Sequence, residues 1–307
     1  MFRLMRLHFY SFQGFSSAGL PVGMTKFLYP IVKRFAEDGP QDLIYTVGSV
    51  PKGDSKVIES VSSIFVLLKK INYKLRKFLL IDISSELRYF EEIVFDLFCC
   101  IRLKKAEIII SSSFLYYTTK KNERFGGYNI FLAGNPYDKE IYLLLREEER
   151  RHDLRINDAY TLVSRVKYLE RSVKSFNHIC TFTSSEYISY SKHFNKKKLS
   201  FCEHNIMPNV KGLVPSEVTK SECFTFCFVS HPFWLKGLYY LLEAWSIAEL
   251  SNCRLKIGGR IDKNLLNTLL SRLPDLKNVE FVGWVDNLGD FYGSSDVCVV
   301  PSLIDAG

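Results

Sequence analysis

The 307-residue chain has no apolar run of the roughly 20 residues that crossing a bilayer requires, no Cys-x-x-Cys, no Gly-x-Gly-x-x-Gly and only 10 prolines. Its longest apolar stretches, Ile64 to Leu68 and Ala106 to Tyr117, are too short or too polar to span a membrane. Arg3, Arg6 and His8 interrupt Met1 to Phe12, so no uninterrupted apolar core exists there for a signal peptide. Neither Cys99-Cys100 nor Cys223 to Cys227 has the spacing of a zinc site. Cys180, Cys227, Cys253 and Cys298 lie inside apolar, β-branched or aromatic stretches and are expected to be small buried hydrophobes, reduced in a cytoplasmic protein. The missing glycine fingerprint after the first apolar run counts against a nicotinamide-dependent enzyme.

What is present is a globular composition. Hydrophobic residues make up 47% of the chain, charged residues 24% and aromatics 14%, with 17 glycines, which excludes a disordered tail, a collagen repeat and a coiled coil. At roughly 100 to 200 residues per domain, the length predicts two domains with cores of their own. Lys and Arg number 41 against 33 Asp and Glu, a balance of +8 that favours anionic partners. No nucleic-acid module accompanies that charge, so nucleic acid is not an expected partner.

Short β-rich runs alternate with amphipathic helical stretches, which predicts parallel sheets covered by helices. In the first half the expected strands are Phe2 to Ser11, Asp42 to Val47, Glu107 to Ser111, Tyr128 to Ala133 and Ile179 to Thr183. Expected helices run from about Val22 to Glu37, along Leu68 to Leu79, and from Leu87 to Leu103. Ala159, Leu162, Val163, Val166, Leu169, Val173 and Phe176 trace the face of one long helix. Turn residues without a sustained period mark a linker over 208–223, between domains at 1–207 and 224–307. In the second domain the expected strands are Phe224 to Val229, Arg254 to Gly258, Val279 to Val285 and Val297 to Val300. Helices are expected at Lys236 to Leu250, Lys263 to Leu273 and Leu288 to Ser294.

The second half also carries a series of strings in order: Phe-Val-Ser-His-Pro-Phe-Trp-Leu-Lys-Gly-Leu at 228–238, Leu-Leu-Glu-Ala-Trp at 241–245, Leu-Lys-Ile-Gly-Gly at 255–259 and Phe-Val-Gly-Trp-Val at 281–285. Phe-Tyr-Gly-Ser-Ser-Asp-Val at 291–297 and Val-Pro-Ser-Leu at 300–303 complete it. Together they resemble the C-terminal domain of family 4 glycosyltransferases, the glycosyl transferases group 1. The resemblance implies an α/β fold termed GT-B: two Rossmann-like domains facing across a cleft, with a nucleotide-sugar donor held mainly by the second. More loosely, Leu169-Glu170, Phe176 to Ile179, Ser184-Ser185 and Met207-Pro208-Asn209 resemble the close of the family's first domain and its hinge.

By that resemblance Lys236-Gly237 matches the Lys-Gly that opens the donor-domain helix, where the lysine holds the donor diphosphate. His231 stands where the family has an arginine, and a neutral imidazole donates one hydrogen bond where a guanidinium offers a charged fork. Gly258 and Val285, on the strings at the strand ends, and Gly19 in the first glycine loop are the remaining donor-binding candidates. Asp305 stands at the first of the family's two paired glutamates and is the catalytic candidate. The second would fall past residue 307. Independently of any family, cleaving a sugar–diphosphate bond leaves negative charge on the departing phosphate, and a lysine at a helix N-terminus is suited to meet it. The plainer reading of Lys236 is a solvated helix-start lysine, of Gly19 a simple turn, and of Asp305 a terminal residue without fixed position.

No Asp-x-Asp occurs in the chain, so the usual carboxylate pair for a divalent metal is missing and no metal or separate cofactor is expected. The expected activity is retaining, metal-independent transfer of a hexose from a UDP- or GDP-sugar to a glycan or glycolipid hydroxyl in cell-surface polysaccharide synthesis. The alternative is an inactive donor-binding fragment, with an unfinished second sheet unless the natural protein continues. Lys69, Lys70, Lys74, Arg76 and Lys77 line one face of the helix at Leu68 to Leu79. They read either as a solvated face or as a peripheral contact with the anionic inner face of the membrane, beside a lipid-linked acceptor. No general base is assigned; the loops after the strands offer Ser112-Ser113 and Gly134-Asn135. His152, within Arg-Glu-Glu-Glu-Arg-Arg-His-Asp, reads as part of a charged helix face.

Overall fold

The computed structural model describes residues 7–10, 44–46, 58–60, 70–71, 74, 83–202, 223–230, 234–259, 263–273 and 276–304. The chain divides into two compact units, one covering Met1–His204 and the other Asn205–Asp305.

In the first unit seven described strands form one sheet: β1 (Leu7–Tyr10), β2 (Ile44–Thr46), β3 (Ile58–Ser60), β4 (Ile108–Ser111), β5 (Tyr128–Leu132), β6 (His178–Thr181) and β7 (Leu199–Phe201). Their order is β3-β2-β1-β4-β5-β6-β7 and every neighbouring pair is parallel. Strands of such a sheet read as continuous apolar runs, as Ile108-Ile109-Ile110 does in β4. The described helices are α1 (Ser84–Arg102), α2 (Tyr116–Arg124), α3 (Asp138–Arg151), α4 (Val163–Lys174) and α5 (Ser184–Ser191). α1 turns Phe95 and Cys99 inward at helical spacing, and they join Tyr10, Leu103, Ile109, Leu115, Phe131 and Phe176 in the core. α5 opens on a capping box, with the Glu186 N–H donating to Thr183 Oγ1 and the Thr183 N–H donating to Glu186 Oε2, 3.2 Å each.

Several expectations change here. The single long helix through Ala159 to Phe176 is instead a 3₁₀ turn at Ala159–Thr161 followed by α4. The Tyr160 N–H donates to Asp158 Oδ1 at 2.9 Å, which starts the short turn, and Leu162 at φ −80°, ψ 112° breaks the helical path. The apolar period runs across this break because the 3₁₀ turn packs against α4 and α1. β3, β7 and α2 were not expected: the two strands have three residues each, and α2 buries Thr118, Thr119 and Asn122 rather than apolar residues. Of the cysteines, all free, Cys227 is buried as expected, Cys180 and Cys253 are half-buried, and Cys298 is exposed because it ends an edge strand. Lys70, Ile71 and Lys74 are helical and exposed. The remaining residues of that basic helix, and those of the helix expected at 22–37, lie outside the described residues. No described helix is long and apolar enough to cross a membrane.

The second unit holds β8 (Phe224–Val229), β9 (Cys253–Gly258), β10 (Val279–Gly283) and β11 (Val297–Cys298) in the parallel order β10-β9-β8-β11. α6 (Leu238–Ala248), α7 (Lys263–Arg272) and α8 (Leu288–Gly293) alternate with them, as the sequence pattern predicts. Leu238, Leu242 and Trp245 of α6 pack inward with Leu255 and Ile257 of β9. Trp245 also donates Nε1–H to Lys277 O at 2.9 Å.

Candidate functional site

The second sheet reverses direction of growth between β8 and β11: the chain builds outward from β8 to β10, then returns to the other side of β8. Open α/β sheets bind ligands at the carboxyl ends of the strands flanking such a switch point. Here those ends lead to Ser230 and to the segment Pro301–Ile304.

The two segments are laced together. The Leu303 N–H donates to Leu235 O at 2.9 Å. Gly237, at φ +75°, is the N-cap of α6, and a Cβ placed on it would meet the Pro301 carbonyl oxygen at 1.9 Å. Both the left-handed backbone and the close approach therefore require glycine. Lys236, half-buried, stands at this entrance, one residue before the cap of a helix whose first N–H groups lack intrahelical partners. The structure thus brings Lys236 and Gly237 beside Pro301, although 64 residues separate Gly237 from Pro301. The Lys-Gly string suggests the glycine; that a carbonyl from the segment after β11 presses on it is not readable from the sequence.

Gly258 and Val285 also meet. A Cβ on Gly258 would lie 2.7 Å from Val285 Cγ2, 3.1 Å from Val229 Cγ2 and 3.2 Å from Phe291 Cζ. Gly258 therefore lets the loop after β10 seat on the ends of β8 and β9. The Gly259 N–H donates to Gly283 O at 2.6 Å and holds that loop. Trp284 projects from it, 61% exposed, with Nε1–H donating to Asp286 Oδ1 at 2.8 Å. His231, Gly19 and Asp305 lie outside the described residues.

The first unit has its own switch point between β1 and β4. There the Ser111 hydroxyl donates to Tyr10 O at 3.1 Å, the Ser112 N–H to Tyr10 O at 3.2 Å, and the Ser113 N–H to Ser111 Oγ at 2.9 Å. Sequence reasoning missed the buried charges behind this edge. Arg165 of α4 donates Nε–H and Nη2–H to Glu92 of α1 at 2.8 and 2.9 Å, and its Nη1 lies 4.0 Å from Asp138 Oδ1 at the start of α3. Its guanidinium also stacks over the Tyr160 ring at 4.8 Å. Burial pushes the Asp138 carboxyl up to about 7 against the pull of Arg165. Asp96 of α1 caps α2 from outside, accepting from Tyr117 N–H at 2.8 Å and Thr118 N–H at 3.0 Å. His152 lies 3.6 Å from Glu148 at the end of α3. Among the described residues no group of three or more His, Cys, Asp or Glu is arranged to hold a metal.

Residues 223–307 match the family described as glycosyl transferases group 1. The second unit is thus similar in sequence to the group 1 glycosyltransferases. No curated protein matches the sequence. Among solved structures, WaaG, a glycosyltransferase involved in lipopolysaccharide biosynthesis, superposes with a TM-score of 0.57 at 14% identity over 98% of this chain and 76% of that one. TarM gives 0.57 at 10% identity over 99% and 81%. Anabaena HepE in complex with UDP gives 0.53 at 10% over 97% and 74%. At these identities the likeness is one of fold: the α/β, GT-B fold of glycosyltransferases. Lys236, Gly237, Gly258 and Val285 all fall inside the segment matched to the group 1 glycosyltransferases, and in it they stand at the carboxyl edge of the sheet.

Proposed function

We propose that the chain is a retaining, metal-independent hexosyltransferase that takes its sugar from a UDP- or GDP-sugar and delivers it to a hydroxyl of a glycan or glycolipid in cell-surface polysaccharide synthesis. The observation that carries this reading is Lys236 at the entrance of α6, one residue before Gly237, which abuts the Pro301 carbonyl beyond β11. A lysine and the N-terminus of a helix stand next to each other in the chain there, an arrangement suited to a diphosphate. As the sugar–phosphate bond breaks, charge accumulates on the leaving oxygen, and fixed positive groups lower the barrier more than they stabilise the ground state. Lys236 has that role. The leaving phosphate itself takes the acceptor proton, so the chain supplies no general base. Gly258 and Val285 stand at the same carboxyl edge of the sheet, and by the resemblance His231 and Gly19 remain donor-binding candidates and Asp305 the catalytic one.

Nucleotide-bearing neighbours support the donor class. HepE is described in complex with UDP-glucose, and S. aureus TarM with UDP and α-GlcNAc-glycerol. Where the acceptor is lipid-linked, exposed Lys70 and Lys74 beside Ile71, 47% exposed, offer the peripheral contact with an anionic inner membrane face.

The test is incubation with UDP- and GDP-sugars, following nucleotide release and thermal stability together. The expected result is a rise in melting temperature with one of the two nucleotides and slow release of it from its sugar. Stabilisation without any turnover would reduce the role to donor binding, and no response to either nucleotide would defeat the reading.

A further inference from the structure

Cys227 of β8 and Cys298 of β11 are Cα partners in a parallel ladder. Parallel neighbours lie about 4.8 Å apart, inside the roughly 4.4 to 6.8 Å over which a disulfide closes. Partners in register face the same side of a sheet, which turns these two thiols toward one another. One is accessible and one is not: Cys298 is exposed, whereas Cys227 is fully buried. Burial, and the neighbouring Cys298, hold the Cys227 thiol above the usual thiol range, while Ser295 and Lys256 draw it down. Lys256 reaches over this face, its Nζ donating to Ser294 Oγ at 3.3 Å.

Another pair of thiols also interacts: burial first, and then Cys202, raises the Cys180 thiol. Their geometry differs. The partner of Cys180 is Ser200, so Cys202 lies two residues further along. That diagonal is about 8 Å between Cα atoms, beyond the range that closes without backbone movement.

We propose that Cys227 and Cys298 are a reversible oxidation site, closing to an intramolecular disulfide that ties together the two strands whose ends carry the donor loops. Three residues beyond Cys227 stands Ser230, and three beyond Cys298 stands Pro301, whose carbonyl abuts Gly237. The oxidant is a small-molecule disulfide. The Cys298 thiolate attacks one of its sulfurs, forming a mixed disulfide and expelling one thiolate. Cys227 then loses its proton and attacks Cys298 Sγ, expelling the second. Two protein thiols are oxidised and one small disulfide is reduced to two thiols, with both protein protons ending on those thiols. Closing the bond fixes β8 against β11 and with them the spacing of Ser230 and Pro301. This consequence rests on the donor reading above; the bond itself does not.

The experiment treats the chain with oxidised glutathione and maps peptides without reduction. The expected product has lost two hydrogens and links the peptides bearing Cys227 and Cys298. Cys227→Ser should trap one glutathione on Cys298, since the resolving thiol is gone. Cys298→Ser should leave Cys227 unmodified. A stable glutathione adduct on Cys298 in the unaltered chain, or a link that joins Cys180 to Cys202 instead, would overturn the proposal. UDP titration of the reduced and oxidised chains reads the consequence, with an expected loss of affinity of threefold or more on oxidation. A mapped disulfide with unchanged UDP affinity would refute the coupling to the donor loops. If neither form responds to UDP or GDP, it is the donor reading that fails, while the mapping still decides the bond.

Discussion

The two units are built by different means. In the second, apolar strands and helix faces alternate at the spacing their periods require, and glycine opens the room for two backbone segments to meet at Gly237 and for Val285 to seat at Gly258. In the first, helices are tied to one another by buried polar groups: Glu92 to Arg165 across 73 residues, and Asp96 to the start of α2 across about 22. Local pattern reports the first kind of construction and is blind to the second. The contrast also has a spectroscopic handle, because all three tryptophans, Trp234, Trp245 and Trp284, belong to the second unit.

The largest effect should come from Arg165→Leu. It leaves Glu92 and Asp138 buried without their partner, and breaking one side of a buried ion pair costs about 3–5 kcal/mol. Urea unfolding followed by far-UV circular dichroism should move to lower denaturant, with the tryptophan fluorescence transition much less affected. Equal movement of both signals would show that the buried ion pair of the first unit supports the second unit as well.

Gly237→Ala is the counterpart in the second unit. A Cβ there meets the Pro301 carbonyl and the backbone is left-handed, so a loss of about 2 kcal/mol or more is expected, read this time in tryptophan fluorescence. Asp96→Ala should be milder, about 1–2 kcal/mol, because it strips the external cap from α2 without leaving a charge behind.

The remaining effect is graded, a pH slope spread over about three units. Asp138 holds its proton up to about 7 in the folded chain, well above the ordinary carboxylate value of 3.8. A group raised on folding contributes stability that is full below the unfolded value and is lost as pH rises through the folded one. The unaltered chain should therefore lose stability relative to Asp138→Asn between about pH 4 and pH 7, with a slope no steeper than about 1.4 kcal/mol per pH unit. Denaturant midpoints of the two proteins at pH 5 and pH 8 give the difference. A constant offset would show that Asp138 does not titrate as its burial implies.

These differences explain what was legible in the sequence. Phe224 to Val229 coincides with β8, and the other second-unit elements agree to within two or three residues, since each is a full apolar period bounded by turn residues. α2 escaped notice because Tyr-Tyr-Thr-Thr-Lys-Lys-Asn-Glu-Arg has almost no apolar face; what holds it is Asp96 and the buried Thr118 and Thr119. The break at Leu162 was hidden because a 3₁₀ turn and a helix can present apolar residues to the same core. At the site, Lys236 and Gly237 were readable as a string, whereas Pro301 as the contact of Gly237 was not, because close approach of two backbones leaves no trace in local pattern beyond the glycine itself. The Cys227–Cys298 pairing likewise required the register of β8 against β11.

In the proposed function Lys236 at the entrance of α6 receives the donor diphosphate. The most direct test is the affinity for UDP and GDP of the unaltered chain and of Lys236→Ala, measured by thermal shift at fixed ionic strength. A charged hydrogen bond to phosphate is worth about 1.5–3 kcal/mol, so a loss of affinity of roughly tenfold to a hundredfold is predicted, with the nucleotide-free melting temperature nearly unchanged. Equal stabilisation of both proteins by the same nucleotide would remove Lys236 from the diphosphate site.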